Sequence, residues 1–153
     1  MKVVSLLVKR KKGGNIERIE EGYLKEDYGL LGDINGTNRD RQISIATDGV
    51  RKYIEKDDSE GICNHRFYEN ITIEGLDTER LHIGQKIIIG ETVQEITSLR
   101  KSCFPECKLI ASKNPCPLRK EVVFTRVIKE GPIKIGDKVG IINHKNIGDK
   151  HGL

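Results

Sequence analysis

Short β-branched runs closed by glycine-centred turns recur along this chain, and that recurrence limits the fold more than any other feature. Asn70-Ile71-Thr72-Ile73, Lys86-Ile87-Ile88-Ile89, Thr92-Val93-Gln94-Glu95-Ile96, the run from Val122 to Ile128 and Lys138-Val139-Gly140-Ile141-Ile142 all have this form. Side chains branched at Cβ are stiff and pack well on a pleated surface, so each run reads as a strand. Val3 to Val8, apolar apart from Ser5, is expected to be a buried first strand. Arg41-Gln42-Ile43-Ser44-Ile45 alternates polar with apolar, as a half-buried strand does. One short helix is expected from Asp48 to Lys56, capped by Thr47, with Val50, Tyr53 and Ile54 on one face. Leu81-His82-Ile83-Gly84-Gln85-Lys86-Ile87 and Ile133-Lys134-Ile135-Gly136-Asp137-Lys138-Val139 echo each other, and they read as one hairpin device used twice. The sum is a mainly β fold, a closed or nearly closed β-barrel with a few short helices. Residues 1–143 form a single domain in this reading, and 144–153 a polar, flexible tail.

Composition agrees with strands. Aromatic residues are 5% of the 153 and Trp is absent, so the core must be built from Ile, Val and Leu. Charged residues reach 33%, yet the net charge is only +4. Lys9-Arg10-Lys11-Lys12-Gly13-Gly14-Asn15 reads as a solvated turn, and no other basic stripe of the kind that tracks nucleic acid stands out. A small anionic ligand in a basic pocket suits this balance, whereas nucleic acid and membrane partners are not expected. No apolar run is long enough to cross a bilayer, and the opening Met1 to Lys9 is too short for a secretory signal, so a cytoplasmic location is expected. In that compartment the four cysteines, Cys63, Cys103, Cys107 and Cys116, are expected as thiols rather than disulfides.

Four stretches together resemble the MOSC domain, the module related to the C-terminal part of molybdenum-cofactor sulfurases. They are Tyr28-Gly29-Leu30-Leu31-Gly32-Asp33 with Arg41-Gln42-Ile43-Ser44; Phe67-Tyr68-Glu69-Asn70-Ile71-Thr72-Ile73-Glu74-Gly75-Leu76; Leu81-His82-Ile83-Gly84 with Gln94-Glu95-Ile96-Thr97; and Lys101-Ser102-Cys103-Phe104-Pro105-Glu106-Cys107, followed by Cys116, Phe124-Thr125-Arg126-Val127 and Gly136-Asp137. The likeness is greatest to the small stand-alone bacterial members. Their cysteine segment usually reads Gly-Lys-x-Cys-His; here Arg100 and Phe104 stand in place of the Gly and the His, and Pro117-Leu118-Arg119 replaces x-Met-Pro. The resemblance implies a barrel of the pyruvate-kinase type. It also implies a role with the molybdenum cofactor, either as a sulfur carrier or transferase or as a non-catalytic cofactor-binding or partner-docking module. A cysteine desulfurase or a molybdoenzyme is the implied partner. The pyridoxal-phosphate desulfurase domain of larger relatives does not fit within 153 residues.

Within that frame Cys103 is the implied reactive residue. Only a thiolate attacks sulfur donors or ligates a soft metal, and Arg100, Lys101 and Lys108 supply cations that would favour it. Cys107, four residues on, is a candidate resolving thiol. Two other readings stay open: Cys103, Cys107 and Cys116 as zinc ligands, with Cys63 or His65 as the fourth, or plain packing of buried thiols. For an anionic pterin the candidate holders are Arg41 above all, then Arg100 and Arg119, with Arg39, Arg66 and Lys101 also in the motif regions. Asp33 belongs to the same motif, and Gly29 and Gly32 allow close backbone approach before Arg41. Asn70 suits a structural role at a strand start, and Glu69 could accept a proton or pair with Arg41. Nothing resembles a Walker loop, a Rossmann fingerprint or a hydrolase elbow.

Overall fold

A computed structural model of the chain describes residues 1–36, 42–50, 68–99 and 121–142. They form β1 (Lys2–Lys9), β2 (Ile16–Ile19), β3 (Glu21–Lys25), β4 (Gly29–Leu30), β5 (Ile43–Thr47), β6 (Ile71–Glu74), β7 (Lys86–Ile89), β8 (Thr92–Ser98), β9 (Val122–Lys129), β10 (Gly131–Lys134) and β11 (Val139–Ile142). Helical structure is confined, among the described residues, to 48–50 and a single 3-10 turn at Thr78–Arg80. The protein is mainly β. No helix among these residues is long and apolar enough to cross a membrane.

Eight strands share one sheet in the order β11-β7-β8-β9-β5-β6-β1-β2, and β10-β3-β4 form a second. Every pairing is antiparallel except β5 with β6. That exception follows from the connection: a parallel pair needs a long crossover, and residues 48–70 provide it. Ser5 marks the point where the β1–β6 register shifts, so the polar break in the first apolar run coincides with a local irregularity.

The expected barrel is not closed by a continuous ladder, since the sheet order ends at β11 and β2. Its two sides nevertheless meet at one place. Lys2 bridges Lys138, the Val3 N–H donates to the Asp137 carbonyl at 2.9 Å, and the Gly136 N–H donates to the Val3 carbonyl at 2.8 Å. Those bonds use the edge of β1 that β6 leaves free, and β2 takes over the same edge further along, from Leu6 to Lys9.

The core is aliphatic, as the composition requires. Val3, Leu6, Leu24, Ile43, Ile45, Ile71, Ile73, Ile87, Ile89, Ile96 and Val123 are all fully buried in one cluster without an aromatic member.

Three expectations are corrected here. The two echoing segments are not hairpins: β10 pairs with β3 and β11 with β7, while Leu81 to Gln85 is a turn ahead of β7. What they share is a left-handed glycine, Gly84 at φ 88° and Gly136 at φ 96°, which reverses the chain. β5 is not half-buried but buried along its whole length. Thr47 does not cap the helix. It stays in the β5 ladder opposite Ile73, and its buried hydroxyl makes no hydrogen bond.

Candidate functional site

β5 carries the site because it is covered on both faces. Alternation puts Ile43 and Ile45 into the apolar core and leaves Ser44 and Ala46 on the opposite face, yet all four are buried. Register then extends that opposite face sideways. Ser44 of β5 lies across from Phe124 of β9, which lies across from Ser98 of β8. On its other side Ser44 meets Asn70, whose carbonyl accepts the Leu7 N–H of β1 at 2.9 Å. Ser98, Phe124, Ser44, Asn70 and Leu7 thus form one strip across the sheet.

Asn70 holds the strip together. Its Oδ1 accepts the Ser44 N–H at 3.0 Å and the Ser44 hydroxyl at 3.2 Å, and its Nδ2 donates to the Leu7 carbonyl at 3.2 Å. The Asn70 N–H donates to the Ser44 carbonyl at 3.0 Å just ahead of the β5–β6 ladder, and the carboxamide completes that rung by accepting the Ser44 N–H. The Ser44 hydroxyl also lies 3.2 Å from the Tyr68 carbonyl, its second potential acceptor. Glu69, between them, is fully buried and also engaged.

A second knot adjoins the first. The Asp33 carboxylate, only 3% exposed, accepts the Lys9 N–H at 3.0 Å and the Tyr68 phenol at 2.8 Å on one oxygen, and the Asn35 N–H at 3.1 Å on the other. Asn35 Nδ2 returns a bond to the Tyr68 phenol at 3.1 Å. Burial, reinforced by the Asp33 hydrogen bond and charge, pushes the Tyr68 phenol far above the ordinary tyrosine range. At Gly29 and Gly32 it is protein that approaches closely. Gly29 has φ 110°, and a Cβ there would sit 2.9 Å from the Gln42 carbonyl, immediately after Arg41 in sequence. Gly32 faces the Arg10 guanidinium in the same way.

Of the residues singled out from sequence, Asp33, Glu69 and Asn70 are brought to this strip. Arg39, Arg41, Cys63, His65, Arg66, Arg100, Lys101, Cys103, Cys107, Cys116 and Arg119 lie outside the described residues. Among the described residues no group of His, Cys, Asp or Glu is arranged to hold a metal. Sequence reasoning missed Tyr68 and Ser44 as members of the strip; the signal available was their position inside the motifs, next to Glu69 and Ile43. It also missed a polar pair on the core face, where the Thr125 hydroxyl donates to Gln94 Oε1 at 2.6 Å and the buried Gln94 Nε2 has no partner. An open groove of about 720 Å³ lies between β3, β10 and the β7–β8 turn and includes Tyr23, Glu91 and Lys134; among the described residues, Asp33, Glu69 and Asn70 do not line it.

No curated protein matches the sequence. Among solved structures, the YuaD protein from Bacillus subtilis is 18% identical with a TM-score of 0.64, covering 92% of this chain and 94% of that one. YiiM from Escherichia coli is 17% identical with a TM-score of 0.61, over 94% of this chain and 71% of its own. YiiM from Geobacillus stearothermophilus is 16% identical with a TM-score of 0.58, over 93% and 75%. At these identities the likeness is one of fold. The MOSC domain family model matches residues 32–140, from the glycine beside Asp33 to the second residue of β11, and the chain belongs to the MOSC domain family.

Proposed function

We propose that this chain is a cytoplasmic, molybdenum-cofactor-associated module that carries sulfur on the Cys103 thiol. The observation that carries the reading is the register of the strip. Gln42 follows Arg41, Tyr68 follows the segment with Cys63 and His65, and Leu99 precedes Arg100, Lys101 and Cys103. All three flanks adjoin Ser44, Asn70 or Ser98 on one line across the sheet. The approach of Lys2 to Lys138 supports a barrel-like wall behind that line.

In this reading the described residues form the floor beneath an anionic cofactor. Asp33 and Asn70 already bond to protein donors, so their part is to fix the backbone, while Arg41, Arg100 and Arg119 are the groups with charge to offer. The cofactor, when bound, supplies the molybdenum centre whose sulfur content is at issue. The chain supplies the thiol. Lys101 and Arg100 favour its thiolate, which attacks the terminal sulfur of a desulfurase persulfide; a new S–S bond forms and the donor cysteine leaves as thiolate. Cys107 can resolve the persulfide by attacking its inner sulfur, so that a Cys103–Cys107 disulfide forms and the outer sulfur leaves as sulfide, and Cys116 completes a soft donor set.

Intact-mass analysis tests this after incubation with a cysteine desulfurase and cysteine, and separately with molybdenum cofactor. A gain of one sulfur, absent in Cys103→Ser, supports the carrier. Retained pterin without sulfur identifies a binding module instead, and a zinc adduct lost to chelator identifies a structural metal domain.

A further inference from the structure

We infer that the β1–β2 hairpin is a docking edge for an acidic, extended segment of a partner protein, which adds to the sheet as a strand beside β2. The hairpin concentrates charge. Lys9, Arg10, Lys11, Lys12 and Arg18 against the single acid Glu17 give residues 9–18 a net charge of +4, equal to that of the whole chain, so the rest of the sequence is balanced. Among the described residues only Arg10 of these five is ion-paired, to Glu17 at 2.9 Å.

The same hairpin ends the eight-stranded sheet, and the bonds of β1 show which groups of β2 face outward. Lys9 donates its N–H to Asp33 Oδ1 at 3.0 Å and accepts the Ile34 N–H at 2.7 Å. Leu7 donates to the Asn70 carbonyl and accepts from Asn70 Nδ2. Both residues thus spend their backbone on the side of β1 away from β2. Alternate pairs of an antiparallel ladder exchange bonds, so Leu6–Ile19 and Val8–Glu17 hold β2, and the N–H and C=O groups of Ile16 and Arg18 point away from β1. No backbone group among the described residues meets them there. The side chains of these two residues lie on one face, and Ile16, opposite Lys9, is 43% exposed.

An extended polypeptide uses all of this at once. Its backbone pairs with Ile16 and Arg18, an apolar side chain covers Ile16, and carboxylates meet Arg18 and the turn lysines. A bilayer or a nucleic acid would leave the backbone edge unused. The Lys11-Lys12-Gly13-Gly14 tip also offers no apolar wedge and no aromatic ring for bases to stack on. A second copy would set +4 against +4.

The test uses the full chain and a fluorescein-labelled peptide of alternating Glu and Val, read by anisotropy at low and moderate salt, with amide hydrogen exchange and thermal melting in parallel. The wild-type chain should bind it, lose affinity as salt rises, and gain exchange protection at Ile16 and Arg18. A peptide alternating Glu with Pro keeps the charge but lacks most N–H donors, and should bind roughly tenfold more weakly. Lys11→Glu combined with Lys12→Glu should weaken binding roughly tenfold or more. Ile16→Pro removes an outward donor from an edge strand, where proline is tolerated, and should also weaken it roughly tenfold. Neither change should lower the melting temperature appreciably, because both lie outside the β1–β2 bonds. Absence of binding, equal binding of the proline peptide, or protection confined to other amides overturns the inference. Tighter binding of phosphatidylserine vesicles or duplex DNA than of the peptide does so too, as does a concentration-dependent dimer that protects Ile16 and Arg18 without peptide.

Discussion

Replacing Asn70 by Ala should cost far more than the loss of one exposed amide, because the side chain does the work of a strand rung. Asn70 is 1% exposed, and its carboxamide meets the Ser44 N–H, the Ser44 hydroxyl and the Leu7 carbonyl. Ala leaves the Ser44 N–H without its acceptor, because the backbone bond between the two residues uses only the Asn70 N–H and the Ser44 carbonyl. An orphaned buried donor costs about 1–3 kcal/mol, and the under-satisfied Leu7 carbonyl with the small void adds roughly 1 kcal/mol more. The sum, about 2–4 kcal/mol, is a large part of the roughly 5–15 kcal/mol that stabilises a typical domain. Melting should fall by roughly 5–15 °C for a chain of this size. The chain has no Trp, so urea unfolding followed by far-ultraviolet circular dichroism is the suitable assay, with the slope expected to stay constant. Ser44→Ala retains the backbone bond to Asn70 and should cost only about 1 kcal/mol. An Asn70→Ala variant within roughly 0.5 kcal/mol of wild type, or no worse than Ser44→Ala, would refute the rung argument.

Two further outcomes follow from buried polar groups. The folded Tyr68 phenol is raised above its ordinary value of 10.0, so the stability it contributes is fully present below that pH and is lost as pH rises above it. Ultraviolet titration of phenolate should show a late step, coincident with unfolding, that Tyr68→Phe removes; Tyr23, which its hydrogen bond to Glu130 also raises, stays in both proteins as the internal comparison. Simultaneous titration of all tyrosines near the ordinary value would contradict the burial. Replacing Gln94 by Met and Thr125 by Val together removes an unpartnered buried amide with its neighbour's hydroxyl, and chemical denaturation should show stability unchanged or raised by about 1–2 kcal/mol. A loss of more than about 2 kcal/mol would mean that the pair is structurally required.

Strands with Ile and Val on a core face could be read directly. β6, β7, β8, β9 and β11 fall where their β-branched runs are, because alternation against one aliphatic core is a local property. β2 and β3 were invisible for the converse reason: Ile16 to Ile19 and Glu21 to Lys25 are mostly exposed, so no burial pattern marks them. β10 opens Gly131-Pro132, a pair that a sequence reading takes as a turn and that a strand tolerates only where the proline needs no ladder donor. The strip shows the same divide. Asp33, Glu69 and Asn70 could be named from their motifs. That Ser44 is buried on the face away from the core could not, since a polar residue alternating with Ile43 and Ile45 reads as solvent-facing. Its burial depends on register with Phe124 and Asn70, which sequence alone does not encode in any short window. Thr47 failed as a cap for a related reason: it is the last residue of β5, which runs two residues past the end of the alternating motif at Ile45.

Sulfur carriage requires one activated cysteine, and limited alkylation of the full chain at mildly basic pH, followed by peptide mass mapping, identifies it most directly. Cys103 should take the label first, and Cys103→Ser should abolish persulfide loading while leaving the melting temperature unchanged. Initial labelling of Cys63, or resistance of Cys103, Cys107 and Cys116 together until a chelator is added, would contradict it.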